Sequence, residues 1–84
     1  MILAGTIALS VPHEKIIYKS IGKKIKILRE SKGLTQEKLA EKAGLSLDFI
    51  GKIEVNINEP GLKSLIKIAN ALEVHIKEIF DFGE

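Results

Sequence analysis

Side chains able to carry covalent or metal chemistry are few and scattered in this 84-residue chain. There is no cysteine, and the two histidines, His13 and His75, have no partner at a useful spacing. Neither a disulfide nor a Cys- or His-based metal site is therefore expected. The chain has no Ser/His/Asp set, carboxylate dyad or glycine-rich phosphate loop, so no cofactor is expected and no enzyme. What remains is charge. Residues 1–32 hold seven basic side chains (Lys15, Lys19, Lys23, Lys24, Lys26, Arg29, Lys32) against Glu14 and Glu30, a balance of +5. Residues 33–84 hold six basic against nine acidic side chains, a balance of −3. The net +2 therefore hides a basic N-terminal half. A basic surface attracts polyanions such as nucleic acid, although a solvated lysine-rich helix face is the simpler account of charge alone.

The length fits one domain, and 45% apolar with 29% charged residues is ordinary for a soluble globule. The opening stretch "MILAGTIALSVPHEK" is apolar, lacks a basic leader and is far too short to span a bilayer. Neither a signal peptide nor a membrane segment is expected, and the absence of thiols fits the cytoplasm. From Thr6 to Val11 apolar and small polar residues alternate, a strand period that Pro12 ends. A lone strand has unpaired backbone groups. Either the same segment of a second chain supplies the partner, or the stretch is a tail without structure.

The remainder reads as helices. Ile17, Ile21, Ile25 and Leu28 recur at helical spacing among lysines. That helix starts near Pro12 or near Ser20, with Gly22 weakening the longer version, and Gly33 stops it. Thr35 caps a second helix whose inward face is Leu39, Ala40 and Ala43. Lys38 stands where a capping box needs Glu or Gln. Gly44 ends the second helix and Ser46 caps a third, with Ile50 and Ile53 inward and Phe49 at the edge. The third helix ends near Val55, and Asn56 suits a left-handed exit. After the loop "NINEPG", Leu62, Leu65, Ile66, Ala69 and Leu72 recur at helical spacing and mark a fourth helix. Ile76, Ile79 and Phe80 anchor a short fifth.

Two short helices meeting at one glycine form a helix-turn-helix. Small Ala40 lets the third helix cross close by, and Leu39, Ile50 and Ile53 lock the pair onto a common core. Two helices at a steep angle let one rest on a phosphate backbone while the other enters a major groove. Helical hairpins also occur in proteins that bind no nucleic acid.

The residues go beyond that geometry. "LTQEKLAEKAGLS..FIGKIE.....P...SLIKIANALEV" closely resembles the Cro and phage-repressor type of helix-turn-helix, also called the xenobiotic-response-element family. Thr35-Gln36, Leu39-Ala40, Gly44, Ser46, Ile50, Ile53-Glu54, Pro60 and Ile68-Ala69 match as a set, from about Ser20 to Phe80. The resemblance implies an all-α fold, a compact five-helix lambda-repressor-like domain. Residues 20–84 are expected to form that DNA-binding domain and residues 1–19 an N-terminal arm, with a short β-strand used in dimerisation if the alternating stretch pairs with a second chain.

The resemblance also implies roles for individual residues. Gln36 matches a phosphate-contacting residue, where a helix N-terminus adds free N–H groups and partial positive charge. Leu47, Asp48, Gly51 and Lys52 fall where the family reads bases, with Ser46 at the start of the same helix. A base-reading helix usually offers Arg, Gln or Asn, whereas here Lys52 is the one strong donor. Leu47 suits a thymine methyl and Asp48 a cytosine amino group. Asn56 and Lys63 are expected on phosphates, in and after a loop that carries Glu59 where the family often has basic residues. Gly61 stands where a capping Ser is frequent. Arg29 and Glu54 match a structural salt bridge between the first and third helices.

The function implied is a small sequence-specific DNA-binding transcriptional regulator, a homodimer on operator DNA. The alternative is a protein-interaction module of the same fold, antitoxin- or partner-binding, with weak or no specific DNA binding. The non-basic third helix, acidic C-terminal half and apolar N-terminus favour it. A third reading is nucleic-acid binding with little sequence preference. No effector domain is evident, so neither a small-molecule ligand nor a membrane partner is expected.

Overall fold

Helix α1 spans His13–Ser31 in a computed structural model that describes residues 13–82. Of its apolar stripe, Ile21 and Ile25 are buried, while Ile17 and Leu28 pack partly against the core. The helix runs unbroken across the expected boundary between residues 19 and 20, and Tyr18 also packs on the core. Gly22 does not weaken it in place. It is buried, and a Cβ there would overlap the Ile53 carbonyl oxygen, so glycine is what lets α1 approach the third helix closely.

Helix α2 is Gln36–Ala43 and α3 is Leu47–Glu54. Each has the expected N-cap. The Thr35 hydroxyl oxygen accepts the Lys38 N–H and the Ser46 hydroxyl oxygen accepts the Phe49 N–H, both at 3.0 Å. Helix α4, Leu62–Leu72, starts at Gly61 with no side-chain cap.

All four α-helices leave through a residue of positive φ: Gly33 (71°), Gly44 (69°), Asn56 (64°) and Glu73 (59°). Each time the next N–H bonds back five residues: Leu34 to Arg29, Leu45 to Ala40, Ile57 to Lys52, Val74 to Ala69. This closure satisfies carbonyls the helix end would orphan. Glycine and asparagine enter the left-handed region readily, whereas Glu73 does so against the steric cost of its Cβ.

The core joins Ile21 and Ile25 of α1, Leu39, Ala40 and Ala43 of α2, and Ile50 and Ile53 of α3. Leu65, Ile68, Ala69 and Leu72 of α4, with Ile79, complete it. Helix α4 is present as expected, and only part of its apolar spacing is buried. Leu62 and Ile66 are exposed and Ile68 is fully buried. The helix has more apolar residues than one stripe holds, and the buried stripe is 65, 68, 69 and 72, the i, i+3, i+4, i+7 set.

The expected fifth helix is a single 3₁₀ element, η1, at Ile76–Phe80. Five residues suit its i→i+3 bonds, from Glu78 N–H to the His75 carbonyl and from Asp81 N–H to the Glu78 carbonyl. His75 caps it through Nδ1, which accepts the Lys77 N–H at 3.2 Å. Ile79 is buried, but Phe80 is exposed rather than an anchor. The architecture is thus all-helical, four α-helices and one 3₁₀ element among the described residues, with no strand among them. The expected strand arm at Thr6–Val11 lies outside the described residues. Among the described residues no helix is long and apolar enough to cross a membrane.

Candidate nucleic-acid interface

The helix-turn-helix is braced from beneath by one carboxylate. Glu54, at the end of α3, is buried and accepts Arg29 Nε at 2.7 Å on Oε2 and Arg29 Nη2 at 3.0 Å on Oε1. Arg29 also donates Nη1 to the Leu34 carbonyl at 2.7 Å, in the turn that leads into α2. The pair is bidentate and shielded, the geometry in which an arginine–carboxylate contact is strongest. Its hydrogen bond to Glu54 raises the Arg29 pKa, with the Glu54 and Glu30 charges adding and burial opposing. The expected link between α1 and α3 is therefore present.

Gln36, the first residue of α2, joins the same carboxylate. Its Nε2 donates to Glu54 Oε1 at 2.9 Å, so Glu54 ties α1, α2 and α3 together. No local pattern marks this contact, because the partners lie 18 residues apart and glutamine at a helix start is equally at home in water. An amide NH₂ has two hydrogens and Glu54 takes one, so the other is not consumed by the brace.

Above the brace, α3 turns Leu47 and Asp48 to solvent, with Gly51 and Lys52 part-exposed. Lys52 Nζ lies 3.1 Å from Asp48 Oδ2, an ion pair one helical turn long. The two charged residues of α3 expected to meet DNA thus meet each other, and the outward face of α3 is close to neutral. Exposed surface pairs of this kind are weak and exchange readily for other partners. Gly51 sits over Gln36, whose Oε1 would lie 3.6 Å from a Cβ at that position. The exposed Ser46 oxygen is engaged in its cap. Phe49 packs partly against the core, as expected.

Beyond α3, Asn56 is exposed in its left-handed turn, and Lys63 is exposed in the first turn of α4. On either side of Asn56 in the chain, Val55 and Ile57 stand in solvent at 64% and 68% exposure. Neither residue is among the positions expected to meet DNA. Their positions directly after a helix end were the available signal, since the chain there runs over the surface.

The helix-turn-helix family model HTH_3 matches residues 25–79. The immunity repressor protein of Bacillus phage phi105 is 38% identical over 60 residues, covering 71% of this chain and 42% of that protein. The HTH-type transcriptional regulator SinR of Bacillus subtilis is 36% identical over 62 residues, covering 73% of this chain and 56% of the regulator. The chain spans about half the length of these curated relatives. Among solved structures, the restriction-modification controller protein C.AhdI from Aeromonas hydrophila superposes with a TM-score of 0.74 at 33% identity. That superposition covers 75% of this chain and 96% of the controller. The family match runs from Ile25 in α1 to Ile79 in the closing 3₁₀ element, more than half of the chain, and the chain belongs to the HTH_3 helix-turn-helix family of DNA-binding transcriptional regulators.

Proposed function

We propose that this protein binds operator DNA sequence-specifically as a homodimer and regulates transcription there. The carrying observation is the outward face of α3, exposed as a unit while Arg29, Glu54 and Gln36 hold its far side rigidly against α1 and α2. A fixed α3 can enter a major groove with α2 across the backbone. In this reading Gln36 and the free N–H groups of the first turn of α2 meet a phosphate. Ser46, Leu47, Asp48, Gly51 and Lys52 face the groove, and Asn56 and Lys63 flank it on the backbone. In place of the expected division into residues 1–19 and 20–84, the folded unit with all of α1 serves as the DNA-binding unit and the segment before it as the arm. Two copies join through the Thr6–Val11 segment, paired antiparallel across a two-fold axis. An operator-binding role fits a cytoplasmic protein.

Duplexes selected by the full chain from a random pool provide the test. Affinity for the selected site should exceed that for random duplexes and fall steeply with salt. Gln36→Ala should weaken binding to all sequences alike, and Lys52→Ala should also shift preference. A chain that retains no duplex at low salt does not have this function. Removing residues 1–11 should weaken the dimer in sedimentation. A dimer of unchanged strength moves the interface to Ile76, Ile79 and Phe80.

One observation favours a second reading, a protein-binding module of the same fold. Asp48 and Lys52 neutralise each other, and Leu47, Val55 and Ile57 lie exposed nearby in the chain. Absence of salt-dependent DNA binding would select it.

A further inference from the structure

We infer that α3 recognises thymine by its 5-methyl group, with Leu47 as the contacting side chain and Gly51 as the notch that admits the groove edge. This rests on the DNA-binding reading and names what the reading face selects. Three features of that face lead to it.

Leu47 is the first residue of α3 and half its surface is exposed, so it contributes little to the core. A single exposed leucine is unremarkable by itself. One turn further on the same face is Gly51, and glycine inside a helix is unfavourable by about 1 kcal/mol relative to alanine. Within this fold that cost has no structural return. Gly22 must be glycine because the Ile53 carbonyl leaves no room for a Cβ. Gly51 has neither constraint. Its φ is outside the left-handed region, and a Cβ would meet only Gln36 Oε1 at an ordinary 3.6 Å. A glycine that the chain does not need, on the face turned to the partner, suits close approach by that partner.

The third feature is the ion pair. Asp48 and Lys52 lie 3.1 Å apart on the same face and satisfy each other. The face therefore presents an apolar finger, a notch and a self-neutralised pair. Among base edges of the major groove, the apolar group is the methyl at C5 of thymine. The Asp48 carboxylate can accept from the N6 amino group of adenine, the partner of thymine, as it can from cytosine N4. 5-Methylcytosine offers the same methyl but brings guanine with it.

The test replaces thymine by deoxyuridine, one position at a time, in a duplex selected from a random pool by the full chain. This removes the methyl and leaves every hydrogen-bonding group in place. At one or more positions in each half-site the replacement should weaken binding about fourfold, the worth of one buried methyl-sized group. Leu47→Ala should erase the difference between thymine and deoxyuridine there. Gly51→Ala should melt higher than the parent protein and bind the thymine duplex more weakly. Equal binding of deoxyuridine and thymine duplexes at every position overturns the inference while leaving DNA binding intact. So does an unchanged thymine preference in Leu47→Ala. Putting 5-methylcytosine opposite guanine at the sensitive position should recover only part of the affinity, and full recovery overturns the assignment to thymine. A chain that retains no duplex fails at the earlier step, DNA binding itself.

Discussion

Arg29 and Glu54, 25 residues apart, meet in a two-point ion pair, Nε to Oε2 at 2.7 Å and Nη2 to Oε1 at 3.0 Å. Both side chains are buried, so each charge depends on the other for what water no longer provides. The contact fastens the end of α3 to α1, and Gln36 extends it to α2. The presentation of α3 therefore rests on one carboxylate.

Removing either partner should be costly. Arg29→Ala and Glu54→Ala should each lose about 3 kcal/mol in urea denaturation, because an uncompensated buried charge is left behind. The double variant should lose less than the two losses combined. Losses additive to within about 0.5 kcal/mol would show that the two residues do not couple. The raised Arg29 pKa sets the sign of the pH dependence. A group raised on folding contributes fully below its unfolded pKa and loses that contribution only as pH rises through the folded one. Arginine titrates in the strongly alkaline range, so this share of stability should stay flat through neutral pH.

Gln36 separates bracing from binding. Gln36→Ala removes one hydrogen bond from Glu54 and should cost about 1 kcal/mol. Gln36→Glu places a second carboxylate against Glu54 Oε1 and should melt lower than the alanine variant. Thermal melts of the two variants give the order directly, and the reverse order would argue against the Gln36–Glu54 contact.

Two glycines should respond in opposite directions to the same substitution. Gly22→Ala gains about 1 kcal/mol of helix propensity but forces a Cβ onto the Ile53 carbonyl, a backbone atom that cannot rotate away. Separating α1 from α3 costs more than it gains, and a net loss of about 1–2 kcal/mol is expected. Gly51→Ala, with room for its methyl, should gain up to about 1 kcal/mol. Paired denaturation curves check both signs.

Both ends of α4 leave stability unused. Glu73 holds φ 59° at the exit, and Glu73→Gly should gain about 0.5–1 kcal/mol by relieving the left-handed strain. Gly61 caps the start without a side chain, at φ −81° and ψ 173°, where a Cβ meets nothing within 4 Å. Gly61→Ser should add a few tenths to about 1 kcal/mol. A lower melting temperature for either variant would contradict the corresponding end geometry.

The sequence by itself determined what is local. Thr35 and Ser46 cap because each hydroxyl reaches an N–H three residues on, a distance set by helix geometry alone. Gly33, Gly44 and Asn56 mark helix exits because their side chains permit positive φ wherever they stand. The inward faces of α1, α2 and α3 follow from spacing, and the resemblance at Arg29 and Glu54 carried the one long-range pair. Glu73 shows where local signals stop, since its left-handed exit is imposed by the packing of α4 and η1 and opposed by its own preference. The tertiary structure decided the rest for the same reason. Which side of α4 is buried, why Gly22 must be glycine, and how Gln36 turns in to Glu54 depend on how closely helices cross. That spacing is set jointly by side chains distant in sequence, and no single helical period contains it.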